Sequence, residues 1–257
     1  MTDKLKNISL VVITLNEEDN IGPCLKSASG AGEIIVVDSY SRDRTVEIAE
    51  KHGAVVYERK FVSNADQKNW AIDKASGEWV LILDADERLS PALKDEISAE
   101  LKYADADGYW FQRKNRFMNR YIKHCGWDRD WVLRLFRNGK GRFKERLVHE
   151  KLTLNGFSAR LKNPLLHNPY RDISDYMDRM SQYSRRGAIE LHKQGRHCFP
   201  GIATRPMFRF FRMYMLQLGF LDGAAGFILC SSAAAGVFFK YVYLMELRNK
   251  EKSGIIS

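Results

Sequence analysis

The sequence predicts an α/β protein with a mostly parallel sheet, because short apolar runs alternate with helical segments of about ten residues. The clearest runs are Ile8–Thr14, Glu33–Asp38 and Trp79–Asp84. Such short, continuous apolar runs are typical of strands that are buried on both faces. Ligands of open α/β sheets bind just beyond the carboxyl ends of the strands, and two of these runs end in an aspartate. A polar site is therefore predicted along that edge of the sheet.

Helical segments separate and follow these strands. Polar or capping residues open them, as in the loop 16–20 and the turn 41–44. The first predicted helix follows the loop 16–20 and runs through Leu25. Three further helices are predicted over Thr45–His52, 64–76 and Pro91–Tyr103. One more short strand is predicted at Ala54–Tyr57. Alternation of this kind places helices on both faces of the sheet.

The pattern changes after residue 103. Gly108–Lys114, Trp131–Arg137 and Leu147–Leu154 are predicted as strands that make the sheet mixed, and the chain is predicted to be helical from Ser174 onward. We therefore expect a Rossmann-like catalytic or binding domain over residues 1–165 and a helical region over residues 166–257.

Composition narrows the class of protein. The 257 residues are 45% hydrophobic and 12% aromatic, which is typical of a folded chain. The four cysteines are scattered without a Cys-x-x-Cys spacing, so neither a zinc site nor a disulfide framework is predicted and a reducing cytoplasm is expected. No signal peptide is visible after Met1.

The net charge of +9 allows nucleic acid, an anionic membrane or a phosphorylated substrate as partner. In the C-terminal part, arginines and lysines such as Arg205, Arg209 and Arg212 alternate with aromatic residues and methionines. The apolar segment Phe220–Leu244 follows. This combination favours an anionic membrane surface over nucleic acid.

Three structures are open for Phe220–Leu244. It could be one transmembrane helix, although the apolar length is slightly short for that. It could be an ordinary buried helical hairpin. We expect two shorter interfacial or re-entrant helices, broken near Gly236 or at Ser231-Ser232.

The candidate chemistry centres on Asp84-Ala85-Asp86 at the end of the predicted strand Trp79–Asp84. Carboxylates suit Mg²⁺ or Mn²⁺, which commonly keep coordination positions open for phosphate oxygens. An isolated Asp-x-Asp is more often a solvated acidic turn that precedes a helix, here the one at Pro91. The other motifs of the N-terminal half favour the metal.

These motifs occur in a fixed order. They are Val11–Glu17, Val36–Ser39 with Ser41, Asp43 and Thr45, Gln67–Ala71, and Asp84–Asp86. Together they resemble inverting family 2 glycosyltransferases, which have the GT-A fold. Arg134–Arg137, Glu145–Glu150 and Gly219–Gly223 further resemble a bacterial branch that includes lipopolysaccharide core β-1,4-glucosyltransferases. These enzymes use UDP-glucose and transfer onto a heptose of the inner core.

The resemblance implies that Asp86 binds the metal and that Asp84 binds the sugar nucleotide directly or through that ion. The donor would be a UDP-hexose and the cofactor Mg²⁺ or Mn²⁺. Nucleotide-sugar contacts are expected from residues at strand ends, at a helix start and on a later strand: Thr14, Asn16, Glu17, Asp38, Gln67, Lys68, Asn69 and Arg134. Helix capping or simple solvation could equally explain several of them.

An inverting transfer needs one general base, and a carboxylate can serve. Glu150 is the candidate we favour, with His149 beside it, and Glu145 and Asp130 are the alternatives. The enzyme is expected at the cytoplasmic face of the bacterial inner membrane, acting on a lipid-linked saccharide, with no nucleic-acid partner.

Three other functions compete with this one. A non-catalytic membrane scaffold with this fold is possible, although the presence of both Asp84 and Asp86 argues against it. A nucleotidyltransferase that makes sugar nucleotides would carry a glycine-rich loop after its first strand, and Thr14–Glu18 has no glycine. A dinucleotide-dependent dehydrogenase is disfavoured because the Gly-x-Gly-x-x-Gly motif is missing.

Overall fold

A computed structural model describes residues 5–144, 151–196 and 201–253. The chain forms two compact units. The first contains the residues up to 114 and residues 130–167, and the second contains residues 115–129 and those from 168 onward. The second unit thus includes a segment, 115–129, that no change of composition marks in the sequence.

The first unit is built on a mixed sheet with the strand order β3-β2-β1-β4-β8-β6-β12-β5. Its strands are β1 (Leu5–Thr14), β2 (Ala31–Asp38), β3 (Val55–Glu58), β4 (Trp79–Asp84), β5 (Glu87–Leu89), β6 (Gly108–Phe117), β8 (Trp131–Arg137) and β12 (Leu165–His167). The short strands β7 (Arg120–Tyr121) and β11 (Ser158–Arg160) each pair with β6, and β9 (Gly141–Lys144) pairs separately with β10 (Lys151–Leu154).

The neighbouring strands β3, β2, β1 and β4 run parallel to one another. Strand β8 pairs antiparallel with β4, and β6 pairs antiparallel with β8. Strand β1 lies between β2 and β4, with Thr14 opposite Asp38 and Ile13 opposite Asp84. The register therefore places the ends of three strands side by side, as the acidic residues at the ends of the apolar runs predicted.

Side chains alternate between two cores on opposite faces of the sheet. Leu10, Val12, Leu81 and Leu83 pack on one face with the helices α1 (Glu18–Ser27), α2 (Thr45–Lys51) and α4 (Pro91–Glu100). Val11, Val80 and Ile82 pack on the other face with α3 (Asn64–Ile72) and the pair β9–β10. Because both faces are covered, the central strands are apolar throughout, which confirms the predicted α/β architecture.

Several predicted boundaries differ from the structure, and two of them bear on the site. The helix α3 ends at Ile72 and not at residue 76, because Ser76 and Gly77 are bound by Glu33. A Cβ atom at Gly77 would lie 2.6 Å from Ser9 Oγ and 2.8 Å from Ser9 N, so this position requires glycine. Strand β6 continues to Phe117, three residues beyond the predicted end.

Glu33 links three segments of the first unit. One oxygen accepts the Ser9 hydroxyl, the Ser76 N–H at 2.5 Å, the Ser76 hydroxyl at 2.9 Å and the Gly77 N–H at 3.2 Å. Partial burial raises the pKa of this carboxyl, but these hydrogen bonds outweigh burial and hold it below 4.5. The ionised carboxylate therefore stabilises the start of β4.

We expect the free energy of unfolding to fall as the pH is lowered, because Glu33 becomes protonated. A depressed folded-state pKa means that the stabilisation is present above the unfolded value of 4.5 and is lost as the pH falls through the folded value. We expect Glu33→Gln to lower the free energy of unfolding by about 2 kcal/mol at neutral pH, and less in acid. Urea unfolding across the pH range tests this, with the exposed Glu50→Gln as control. An equal loss at all pH values would contradict the assignment.

The second unit is mainly helical. It contains α5 (Ile173–Lys193), α6 (Gly201–Phe211), a π-helical turn (Arg212–Leu216), a 3₁₀ turn (Gly219–Asp222) and α7 (Gly223–Lys252). Phe117, Ile122 and Cys125 from the segment 115–129 share a core with Tyr176, Met213, Leu229 and Cys230. The predicted helical character of the C-terminal region is confirmed.

The expected break in the apolar segment is wrong, because α7 is a single helix of 30 residues. Gly236 does not interrupt it: its carbonyl accepts the Ser184 hydroxyl of α5 at 2.9 Å, and a Cβ there would lie 3.0 Å from Met180 Cγ. The glycine thus allows close helix packing. The stretch Gly219–Glu251 is long and apolar enough to cross a membrane, and 22% of its most apolar window is buried within the protein.

Candidate active site

The site lies in the first unit, where β4 ends at Asp84 and β5 begins at Glu87. The antiparallel strand β8 brings Arg134 to this place, and α3, which begins at Asn64 behind the capping Ser63, brings Lys68. Both cations are almost completely buried. Polar groups from strands and helices far apart in the sequence therefore meet at the predicted edge.

Asp84 is held by both cations. Lys68 Nζ lies 2.8 Å from Asp84 Oδ1, and Arg134 Nη2 donates to Asp84 Oδ2. Desolvation raises the pKa of the Asp84 carboxyl, but Arg134 and Lys68 outweigh it and hold this pKa far below its usual range. Asp84 is thus ionised, and each of its oxygens already has a cationic partner.

Glu87 organises the arginines of the site. It is fully buried, and its carboxylate accepts the Asp84 N–H at 3.0 Å, Arg134 Nη2 at 2.6 Å and Arg113 Nη1 at 3.4 Å. Arg113 in turn donates two hydrogen bonds of 2.9 Å to Asp130. Neither Glu87 nor Arg113 was predicted. The only signal for Glu87 was a third carboxylate directly after Asp84-Ala85-Asp86.

Asp86 differs from Asp84 in its partners. Its Oδ2 lies 3.5 Å from His167 Nε2 on β12, and its Oδ1 is buried without a hydrogen-bond partner among the described residues. A buried polar oxygen without a hydrogen-bond donor is costly, and a bound cation would remove that cost. His167 was not predicted, because β12 is a three-residue strand whose place beside β5 has no local signature.

The charges of the cluster fit a divalent cation. Lys68, Arg113 and Arg134 contribute three positive charges, while Asp84, Asp86, Glu87 and Asp130 contribute four negative ones, so the formal sum is −1. A divalent ion at Asp86 would change the sum to +1, which attracts a diphosphate. Mg²⁺ usually takes one or two protein carboxylates together with phosphates and water. No group of three or more potential ligands converges in the part of the chain that the structure describes.

The residues predicted to hold the nucleoside organise two neighbouring loops. Asp38 is fully buried and accepts the Ser41 N–H at 2.7 Å and the Ser41 hydroxyl at 2.5 Å. Asn16, with a φ of 54°, donates its N–H to Ser41 Oγ and accepts the Arg42 N–H, both at 2.8 Å. The Glu17 N–H donates to Thr45 Oγ1 at 2.8 Å. The loops after β1 and β2 therefore hold each other in place.

Two of the three remaining predicted residues have structural partners. Thr14 is buried at the end of β1, opposite Asp38, and its Oγ1 has no hydrogen-bond partner among the described residues. Gln67 accepts a hydrogen bond from Arg59 at 2.8 Å and donates one to Ser39 Oγ at 3.0 Å. Asn69 bonds the backbone N–H and C=O of Phe143, each at 2.9 Å, so it braces β9. Donor binding by these three side chains stays a prediction.

Of the candidates for the general base, the described residues include only Asp130. Glu150, Glu145 and His149 lie outside the described residues. Asp130, the third carboxylate candidate, has both oxygens bonded to Arg113.

A cavity of about 330 Å³ adjoins the cluster. Asp84 and Arg134 form part of its wall. The remaining wall has aromatic, basic and aliphatic residues: Trp110, Trp131, Phe143, Arg113, Lys151, Val132, Leu133 and Leu152. Flat aromatic rings beside charged groups suit a polar ligand that has apolar faces, as a sugar ring has.

Comparison with known proteins agrees with these features. The family model for glycosyl transferase family 2 matches residues 9–165. A protein of Rickettsia bellii described as an uncharacterized glycosyltransferase is 30% identical over 94% of this chain and 87% of its own length. The lipopolysaccharide core biosynthesis glycosyltransferase LpsC of Rhizobium meliloti is 28% identical over 90% of this chain and 89% of its own. The solved structure of S. aureus TarS 1-349 has a TM-score of 0.49 and 17% identity, covering 94% of this chain and 91% of that one.

The sequence matches define the class of protein, which is a glycosyltransferase. Since the family model matches more than half of the chain, the protein belongs to glycosyl transferase family 2. The sequence matches carry this assignment. The resemblance in the motifs and the predicted GT-A-type fold are thereby confirmed.

Proposed function

We propose that the protein is an inverting, metal-assisted hexosyltransferase that uses a UDP-hexose, with glucose as the expected sugar. The observation that carries this proposal is the buried cluster of Asp84, Asp86, Lys68 and Arg134 at the end of β4 in a chain of this family. A site that becomes positive with one divalent ion matches a nucleoside diphosphate as leaving group.

We infer that Asp86, with His167 beside it, holds the divalent ion. When bound, this ion supplies Lewis-acid stabilisation of the departing diphosphate. Lys68 and Arg134 fix Asp84 in its ionised form at the cavity wall, and Glu87 fixes Arg134. The site is therefore preorganised by buried charges.

Transfer would follow as one displacement. The acceptor hydroxyl oxygen bonds to the anomeric carbon while the bond from this carbon to the diphosphate breaks, and the bonding electrons leave on the phosphate oxygen. The hydroxyl proton passes to a carboxylate base, for which we propose Glu150. Glu150 lies outside the described residues, and Lys151, the next residue in the sequence, lines the cavity with Asp84.

For the acceptor we propose a lipid-linked saccharide, such as the heptose of the lipopolysaccharide inner core, at the cytoplasmic face of the inner membrane. The relative in Rhizobium meliloti is named for lipopolysaccharide core biosynthesis. The long apolar helix α7 also supports action at a membrane.

Calorimetric titration with UDP, with and without Mn²⁺, tests the proposal. We expect wild type to bind UDP in a Mn²⁺-dependent way. Lys68→Met should weaken binding at least roughly tenfold, because the site loses one of three cations. Lys102→Met, an exposed position on the same unit, is the matched control. A folded wild type that does not bind UDP would contradict the proposed function.

A further inference from the structure

Away from the candidate active site, one surface of the second unit is strongly apolar and exposed to solvent. It lies on α6, the π-helical turn and the 3₁₀ turn of the second unit. The exposed fractions are 73% for Met207, 62% for Phe208, 51% for Phe211, 64% for Leu216 and 57% for Leu221. Contiguous exposed side chains of this size are unusual on a protein that is surrounded by water alone.

The exposed side chains rest on an ordered aromatic cluster. Phe210 and Tyr214 are stacked with centroids 5.2 Å apart, and Phe227 of α7 lies 5.9 Å from Phe210 and 5.8 Å from Tyr214. Phe220 lies 6.3 Å from Tyr214. The cluster joins α6 to the start of α7, so the apolar surface has a fixed shape.

Cations lie on the same helix, α6, and on the neighbouring α7. The Arg205 guanidinium and the Lys240 ammonium lie 5.7 Å and 5.9 Å from the centroid of the same Tyr241 ring. The stem of Lys240 passes over Gly187 of α5, where a Cβ would lie 2.8 Å from Lys240 Cδ. Arg209 follows Arg205 by one helical turn.

These cations are not neutralised by the protein. None of Arg205, Arg209 and Lys240 forms an ion pair with a carboxylate within the described ranges. Partial burial, Arg205 and Arg209 together lower the pKa of Lys240. A group of cations that repel one another is stabilised by an external anion.

The packing of α7 on α5 bears on whether α7 could cross a bilayer. The helix α7 packs along α5 through the Ser184–Gly236 hydrogen bond, the 3.2 Å contact of Ser181 with Tyr243 and the Arg185 guanidinium 5.0 Å from the Tyr243 ring. α5 carries seven charged residues: Asp175, Asp178, Arg179, Arg185, Arg186, Glu190 and Lys193. If α7 crossed the bilayer in this packing, α5 would enter the hydrocarbon with those charges, which is strongly unfavourable.

We propose that Arg205, Arg209 and Lys240 bind the phosphate-bearing headgroups of an anionic bilayer while Met207, Phe208 and Phe211 insert into its interface. The protein then lies on the membrane and does not span it. Charge complementarity selects the occupant, because exposed apolar side chains, on the same helix as cations that have no carboxylate partner among the described residues, match an anionic lipid surface. This inference rests on the proposed function, since it names the membrane partner of that enzyme, but it is tested without a nucleotide.

Sedimentation of the full chain with lipid vesicles tests the proposal. We expect binding to vesicles of phosphatidylcholine and phosphatidylglycerol and weak binding to phosphatidylcholine alone. The triple variant R205Q/R209Q/K240Q should bind the anionic vesicles on the order of 100-fold more weakly, at roughly fivefold per cation. F208S/F211S, which changes two exposed side chains, should weaken binding at least roughly tenfold.

The matched control K26Q/K51Q/K102Q removes three exposed cations from the first unit. An equal loss in this control would overturn the proposal in favour of unspecific charge attraction. Unchanged binding by the triple variant, or loss of wild-type binding in millimolar inorganic phosphate, would also overturn it. R205K/R209K should retain binding, which separates charge from folding. UDP titration of the same variants should be unaffected, so failure of the surface and failure of the nucleotide site are distinguishable.

Discussion

Glu87→Gln is expected to lower the free energy of unfolding by about 3–5 kcal/mol, because it removes one partner from a buried ionic network. The Glu87 carboxylate is fully buried and accepts Arg134 at 2.6 Å, Arg113 at 3.4 Å and the Asp84 N–H at 3.0 Å. Glutamine retains the size of the side chain but leaves the two guanidinium groups with one carboxylate fewer. Urea unfolding of wild type and variant measures the loss.

Glu78→Gln is the matched control. Glu78 pairs with Arg137 at 2.7 Å, but its side chain is 54% exposed. Exposed ion pairs contribute at most about 1 kcal/mol, so this variant should be close to wild type. If Glu87→Gln also cost less than about 1 kcal/mol, the network would not stabilise the site.

Asp86→Asn is expected to reduce the rate of sugar transfer by about 10²–10³-fold and to raise the Mn²⁺ concentration required for half-maximal rate. Its Oδ1 is buried without a donor among the described residues, as expected for an atom that binds a cation. His167→Ala should have a smaller effect of about 10–100-fold, since His167 lies beside Asp86 and orients it. Transfer rates measured over a Mn²⁺ titration test both variants.

Asp84→Asn distinguishes the two aspartates. Both Asp84 oxygens are bonded to Lys68 and Arg134, so its loss should destabilise the fold and weaken donor binding without changing the Mn²⁺ midpoint. Asp105→Asn, the same substitution at an exposed position, is the control and should resemble wild type in stability, donor binding and Mn²⁺ midpoint. A shift of the Mn²⁺ midpoint in Asp84→Asn alone would assign the metal to Asp84 and contradict the role of Asp86.

The sequence was informative where a signal is local. The apolar run Trp79–Asp84 matches β4 residue for residue, and the strand-end rule placed Asp84 at the site. The role of Glu87 was not predictable, because it depends on Arg134 of β8, whose antiparallel register is set by long-range pairing. His167 is hidden for the same reason, since its contact with Asp86 requires the pairing of β12 with β5.

The apolar C-terminal segment shows a different limit. Gly236 and the Ser231-Ser232 pair indicated a break because both lower helix propensity. Tertiary packing overrides propensity here: Gly236 allows α5 to approach, and the Ser184 hydroxyl bonds its carbonyl. Propensity alone cannot distinguish a glycine that ends a helix from one that brings two helices together.

The interleaving of the two units determines when the second one can be completed during synthesis. Residues 115–129 leave the ribosome early, yet the partners of this segment come about a hundred residues later. Asp222 accepts the backbone N–H groups of Lys123 and His124 at 3.1 Å and 2.9 Å, and Cys230 lies 3.6 Å from Cys125, sulfur to sulfur. The core around Phe117 and Ile122 therefore stays incomplete until α7 has been made. We therefore expect chaperones and proteases to recognise nascent chains that stall before residue 222, because the apolar side chains of residues 115–129 still lack these partners.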